Sequence, residues 1–327
     1  MQIWRGLGEI PEHLPTVVTI GNFDGVHKGH QEVISRCVAL ATRLEATSVA
    51  ITFDPHPLLV HRPDADFRLI TPLEQRLDTL AETDLDATAV LAYVESLYTL
   101  TAEEFITQVL LEKFHIRGIV VGEDARFGAN NSGNVNTLEA FGKKYGFAVE
   151  VVKDKVGQTG RRLSSSWARE LLSLGNVSAA AEVLGHPHFI EGIVQHGFKR
   201  GRELGFPTAN LDETSAGIIP ADGVYAGWVR LAETSDERLP AAISVGTNPQ
   251  FSGKTRTIEA HVLGRADLDL YGQAVVVEFI DRLRGMKKFD SLEGLLEQMD
   301  NDLLAAANIL GVEPATRVEP TAVTAGL

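Results

Sequence analysis

The feature that most limits how this chain can fold is a change of texture near Gly185-His186-Pro187. Before it, short β-branched runs alternate with helical patterns. Residues 17–20, 48–53, 87–93, 119–121 and 148–152 read as strands. Helical spacing of apolar residues covers 29–44, 73–80 and 101–113, the last opened by Thr101-Ala102-Glu103-Glu104 in the form of a capping box. Strands that alternate with helices need crossover connections, which predicts an α/β doubly wound parallel sheet. Such sheets take ligands beyond the carboxyl ends of their strands. After the change, strand-like runs at 189–195, 225–230, 241–245, 257–262 and 274–280 are separated by Gly, Pro and Asp turns. Evenly spaced strands without crossover helices predict an antiparallel β-barrel. One helix closes it, with Asp290 and Glu293 as its expected cap and Leu292, Leu295, Leu296, Met299 and Leu303 as its apolar stripe. The expected organisation is a first domain at 1–185, a second at 186–312 and a mobile tail at 313–327.

Charge and cysteine usage narrow the class. The formal net charge of -14 argues against nucleic acid as the main partner, but loops and helix N-termini can still hold small phosphorylated ligands. The lone Cys37 sits in a helical apolar pattern and reads as core. The first residues, MQIWRGLGEIPEHLP, lack the pattern of a signal peptide, and no apolar run suits a membrane span. The expected location is the cytoplasm, with no membrane partner.

Residues 21–30 read GNFDGVHKGH, after a strand and at the start of a helix. Gly21, Gly25 and Gly29 fall four apart, which is not the dinucleotide fingerprint. His27 and His30 are three apart, which puts both imidazoles on one side of the first turn beside free backbone N–H groups. Two donors at the positive end of a helix suit an α-phosphate that gathers charge during transfer. A lone His-x-x-His pair also occurs as two surface histidines; the surrounding strand, glycines and helix start favour the phosphate reading. The pair has no third residue at metal-ligand spacing.

Residues 201–211 read GRELGFPTANL. Gly197, Gly201 and Gly205 again fall four apart, beside Lys199, Arg200 and Arg202, and such a loop can wrap N–H groups around phosphates. Thr208 and Asn210 offer hard oxygen atoms of the kind Mg2+ takes beside ATP. By itself this stretch also fits a capped turn. Gly253-Lys254-Thr255 is not a P-loop, because Asn248 stands where its first glycine belongs. His186-Pro187-His188 reads as an interdomain joint.

Taken together these motifs carry a resemblance. GNFDGVHKGH resembles the FMN adenylyltransferase branch of the nucleotidyltransferases, and GFPTAN resembles the riboflavin kinases. The two sets stand in the order of the bifunctional bacterial enzymes that make FAD, and the likeness covers about 1–312. It implies a Rossmann-like nucleotidyltransferase fold followed by a riboflavin kinase barrel. Riboflavin and ATP would give FMN, then FMN and ATP would give FAD and pyrophosphate, with Mg2+ serving both steps. In the first domain it implies His27 and His30 as catalytic, and Gly21, Asn22, Phe23, Asp24, Gly25 and Gly29 as nucleotide-binding. TFDPHP at 52–57 resembles a flavin-side loop and implies His56 and Pro57; GEDARFG at 122–128 implies Asp124. Ser164, Ser165, Ser166 and Arg169 resemble the element that contacts ATP phosphates. In the second domain it implies Gly201, Gly205, Thr208 and Asn210 as nucleotide-binding, with Thr208 and Asn210 also holding the metal. Glu259 of RTIEAH is the implied base, and Arg282 and Arg284 occupy the late flavin-side region, with Arg282 as the contact. DGVY at 222–225, SVGTNP at 244–249 and DLYG at 269–272 agree. Ala125, Ser166, Trp167 and Gln250 depart from the family's usual residues. Two other functions fit the sequence: transfer to another phosphate ester, or flavin sensing without turnover. The kinase motifs argue against the first, and the intact reactive residues against the second. A monomer or weak self-association is expected.

Overall fold

The computed structural model describes residues 1–317 apart from 158, 196–205, 212–216, 233–236, 248–255, 266, 267 and 269. The expectations for Gly201, Gly205, Gln250 and residues 318–327 fall outside the described residues. Two compact units divide the chain, Met1–Ser164 and Ser165–Leu327. The division falls before two helices that the motif-based boundary at 185/186 leaves with the first domain.

The first unit holds strands β1 (Gln2–Arg5), β2 (Thr16–Ile20), β3 (Thr47–Asp54), β4 (Ala87–Ala92), β5 (Ile116–Gly122) and β6 (Ala148–Val152). They form one sheet in the order β1-β4-β3-β2-β5-β6, and every neighbouring pair is parallel. The sheet is doubly wound as expected, with β1 as an added edge strand. Val17, Val18, Val49, Ala50, Ile51, Ile119 and Val120 are completely buried, as strands covered on both faces must be. Helix α1 (Lys28–Arg43) covers one face through Ile34, Cys37, Leu40 and Ala41. Cys37 is core; its Sγ donates to the Val17 carbonyl, and burial pushes its thiol up to about 12. Helix α2 (Pro57–His61) and helix α3 (Leu73–Ala81) follow β3. The capping box at Thr101 and Glu104 is present, but the helix it opens passes at Phe105 into a π-helix, Phe105–Leu111, in place of a continuous α-helix.

In the second unit, α4 (Ser165–Ser173) and α5 (Val177–Leu184) precede a closed barrel. Its strands are β7 (His188–Gln195), β8 (Ala209–Leu211), β9 (Gly223–Leu231), β10 (Leu239–Thr247), β11 (Arg256–Val262) and β12 (Ala274–Arg284), in the order β10-β11-β8-β7-β12-β9, with β9 returning to β10. All pairs are antiparallel. Ile190, Tyr225, Ile243, Val245, Val275, Val277 and Phe279 fill the interior. His188 belongs to this interior, not to a joint: it is 1% exposed and bonds the Ile218 carbonyl at 2.8 Å. The closing helix α6 (Leu292–Leu310) is capped by Ser291, whose hydroxyl accepts from Gly294 N, and not by Asp290. Leu303, Ala306 and Ala307 seat it on Phe206, Ala226, Ala242 and Leu263, while Leu292 faces solvent. Arg284 locks the helix through a two-pronged pair with buried Asp302, at 2.9 and 2.7 Å. Val312 and Ala315 also pack on this cluster, so the segment expected to be mobile begins docked.

Candidate functional site

In the first unit the strand order reverses at β2, which has β3 on one side and β5 on the other. The loops after β2 and β5 carry GNFDGVH and GEDARFG, so both motifs lie at the crevice where doubly wound sheets bind ligands. The first loop takes left-handed conformations at Phe23, Gly25 and Val26, with φ of +49°, +75° and +37°. For phenylalanine and valine these are costly, and they persist only where surroundings over-determine the chain. Here the surroundings do so. Buried Asp24 accepts the backbone N–H groups of Ile70 and Thr71 at 2.9 and 3.0 Å, and Gly25 N donates to the Thr71 hydroxyl. Asp24, expected at the nucleotide, thus ties the loop to residues 70–71.

His27 is the N-cap of α1. Its Nδ1 accepts from Gly29 N at 3.1 Å and from His30 N at 3.3 Å, which leaves the proton of the neutral ring on Nε2. His30 stacks on it with ring centroids 3.6 Å apart, and Phe23 meets His30 edge-on. A Cβ at Gly29 would come within 3.0 Å of the His27 ring, so glycine lets the imidazole fold over the helix end. The Leu163 carbonyl, just before Ser164, passes the same point at 3.5 Å. His30 lies well below the ordinary imidazole range, first because it is buried, then because His27, Arg162 and Arg76 add positive charge. Its Nδ1 is enclosed and has no hydrogen-bond partner among the described residues. The result is a neutral His30 stacked on His27 at a helix N-terminus, suited to donating to phosphate oxygens.

The other expected residues fall as follows. His56 caps α2, its Nδ1 accepting from Leu58 N, and Pro57 is the first helical residue. Asp124 pairs with Arg162 at 2.6 Å, and Arg162 also pairs with Asp154. Ser164 ends the first unit; Ser165, Ser166 and Arg169 lie on α4 in the second. Three features escaped the sequence reading. Arg162 stands next to the serine motif and was masked by it. Arg76 lies buried on α3. Phe53, near the end of β3, forms an aromatic group with His61, Tyr93 and Tyr98, and His61 Nε2 and Tyr93 Oη are 3.0 Å apart.

In the second unit β8 pairs with β11 so that Asn210 and Glu259 are register partners. The Asn210 amide donates to the Thr208 hydroxyl at 3.2 Å. Burial pushes the Glu259 carboxyl above the usual carboxylate range. Beside it His261, also missed in the sequence, hydrogen-bonds the Pro207 carbonyl through Nδ1 at 2.7 Å and so fixes the approach to Thr208. A crevice at Thr208 is lined also by Val194, Pro207, Val262, Leu270 and Tyr271. The oxygens of Thr208, Asn210 and Glu259 fit a hard cation. Among the described residues no three His, Cys, Asp or Glu side chains gather as a metal cage. Arg282 is not brought to this group. It lies on β12, and its guanidinium donates to the carbonyls of Leu174 at 3.1 Å and Asp222 at 2.6 Å.

Comparison with known proteins matches each half of the chain to a family. Residues 9–167 match the family model for FAD synthetase, and residues 184–310 match that for riboflavin kinase. A bifunctional riboflavin kinase/FMN adenylyltransferase of Escherichia coli K12 is 33% identical over 315 residues, covering 95% of this chain and 99% of its own length. One of the same description from Pseudomonas fluorescens is 35% identical over 320 residues, covering 97% and 100%. A solved structure from Streptococcus pneumoniae, described as a macrolide-efflux protein, superposes with a TM-score of 0.85 at 30% identity, covering 94% of this chain and 99% of that one. Among the described residues here, no helix is long and apolar enough to cross a membrane. On identity and coverage across both halves, the chain belongs to the family of bifunctional riboflavin kinases/FMN adenylyltransferases.

Proposed function

We propose that His27 and His30 carry adenylyl transfer and that Glu259, Thr208 and Asn210 carry riboflavin phosphorylation. The chain is an enzyme of FAD biosynthesis that works by way of FMN, with ATP as co-substrate. In the first reaction the terminal ribityl hydroxyl of riboflavin attacks the γ-phosphorus of ATP. Glu259 takes the hydroxyl proton and ADP leaves. A half-buried carboxylate with a raised pKa is the stronger base for this purpose. Bound Mg2+ would neutralise phosphate charge; Thr208 and Asn210 would hold it.

In the second reaction an FMN phosphate oxygen attacks the α-phosphorus of ATP, and the bond to the β-phosphate breaks to release pyrophosphate. The charge that develops on the α-phosphoryl oxygens would fall between His27 Nε2–H and His30, at the positive end of the α1 dipole. The aromatic group at Phe53, His61, Tyr93 and Tyr98 would carry the isoalloxazine ring, with His56 and Pro57 at its border. By the family resemblance, Ser164, Ser165, Ser166 and Arg169 would contact ATP phosphates. A cytoplasmic location fits an enzyme that consumes ATP.

The observation that carries this reading is the stacked His27–His30 pair at the head of α1. The test is to mix the protein with riboflavin and Mg-ATP and separate the flavins by chromatography. FMN followed by FAD is expected. Flavin binding with no turnover, or FMN with no FAD, would contradict it.

A further inference from the structure

Arg76 is 1% exposed, on the face of α3 that also buries Leu77 and Leu80. Its fork reaches a loop and the end of a strand. Nη1 donates to the Asn22 carbonyl at 2.7 Å and Nη2 to the Phe53 carbonyl at 3.2 Å. Asn22 opens the strained turn that leads to His27; Phe53 precedes the turn that leads to His56. Nε is buried with no hydrogen-bond partner among the described residues. Burial lowers the pKa of this guanidinium, while Asp24 and Asp54 oppose that shift. Taking a cation out of water is expensive, and a leucine or methionine would fill a helix–sheet contact without that cost. A buried charge held mainly by carbonyls therefore calls for a role beyond packing.

We infer that Arg76 is a positioning residue for adenylyl transfer, a fork that fixes the carbonyl of Asn22 against that of Phe53 and so sets the distance between the histidine pair and the turn at His56. The inference rests on reading the His27–His30 loop as the site of that reaction. Asp24 and Thr71 hold the far side of the loop, and Thr52 Oγ1 adds one bond to the Asn22 carbonyl. Arg76 donates to a carbonyl on each side, at Asn22 and at Phe53. Lysine has the charge but lacks the planar fork for two carbonyls. Arg76 also belongs, with His27 and Arg162, to the charged and titratable groups that face His30 and keep it neutral.

The test uses the full chain with Arg76→Lys and Arg76→Met. Both reactions are measured on each preparation, and the His30 imidazole is titrated by NMR. Loosening a reacting centre by about 1 Å costs on the order of 100-fold. Adenylyl transfer should therefore fall by about 10- to 100-fold in kcat in both variants, with KM for ATP changed less and riboflavin phosphorylation unchanged. His30 should titrate higher in Arg76→Met and near its original value in Arg76→Lys. Wild-type kcat in Arg76→Lys would remove the fork, and equal loss of both reactions would make Arg76 a general stabiliser; either overturns the inference. Should Arg76→Met fail to fold, Arg76→Lys decides alone. If His30→Ala left FAD formation intact, the reading of the loop itself would have failed, apart from Arg76.

Discussion

Glu259 and Asn210 face each other across the antiparallel pair β11 and β8, and Asn210 in turn donates to Thr208. Register partners carry their side chains on the same face, with Cβ atoms about 5 Å apart. A carboxylate and two hard oxygen ligands thereby share one patch of the barrel. Their nearness in space follows from strand pairing, since Asn210 and Glu259 are far apart in sequence.

Glu259→Gln should keep the patch's size and lose its basicity. Riboflavin phosphorylation should fall by roughly 100-fold, at the low end of general-base effects because the transition state is loose. Supplied FMN should still be converted to FAD. The wild-type rate should rise with pH as Glu259 ionises, at a higher pH than an ordinary glutamate because burial raises its pKa. A phosphorylation rate within a few-fold of normal in the variant would remove the base assignment.

His30→Ala removes one donor to the transferring phosphoryl group. FAD formation should fall by about 100- to 1000-fold while FMN formation stays near normal. Separate assays with riboflavin and with FMN read this directly. Comparable loss in both would mean that the two reactions share a site.

A fragment beginning at Ser165 should fold more stably than one beginning at Pro187. The shorter piece loses the buried Leu172, Val177, Ala180, Val183 and Leu184, the Leu174 carbonyl that holds Arg282, and the Ser178–Asp281 hydrogen bond. At roughly 1.5–3 kcal/mol for each large apolar side chain, the difference is several kcal/mol. Urea unfolding of the two fragments would measure it; equal midpoints would show that α4 and α5 do not support the barrel.

His188 gives the barrel an acid-side weakness. Burial lowers its pKa to about 4, against about 6.5 when unfolded. Above pH 6.5 the ring is neutral in both states and stability is full. As pH falls from 6.5 to 4 only the unfolded chain takes up the proton, and stability drops by about 3 kcal/mol. Below 4 both states are protonated and the loss from this group ends. His188→Gln keeps a donor for the Ile218 carbonyl and should flatten that stretch of the stability–pH curve. An unchanged slope would assign it to other groups.

The order of the elements was legible because it is written in near neighbours. Alternation of two residues or of three to four shows in any short window, so the doubly wound half, the barrel half and the change between them could be read directly. The histidine pair at the head of α1 was legible for the same reason, since His27, Gly29 and His30 lie within one turn. β1 was not, because Gln2–Arg5 is too short to show a period and is a strand only through its parallel pairing with β4. Arg76 was hidden because a charge in a helical pattern reads as the solvated face, whereas α3 turns it inward onto the carbonyls of Asn22 and Phe53. Arg282 stood among motif residues, yet its fork is taken by carbonyls at 174 and 222. Local propensity and motif chemistry are set by adjacent residues and were decided by the sequence itself. Which distant backbone a long side chain meets, and which strands close into neighbours, depends on the packed whole and was decided only by the tertiary structure.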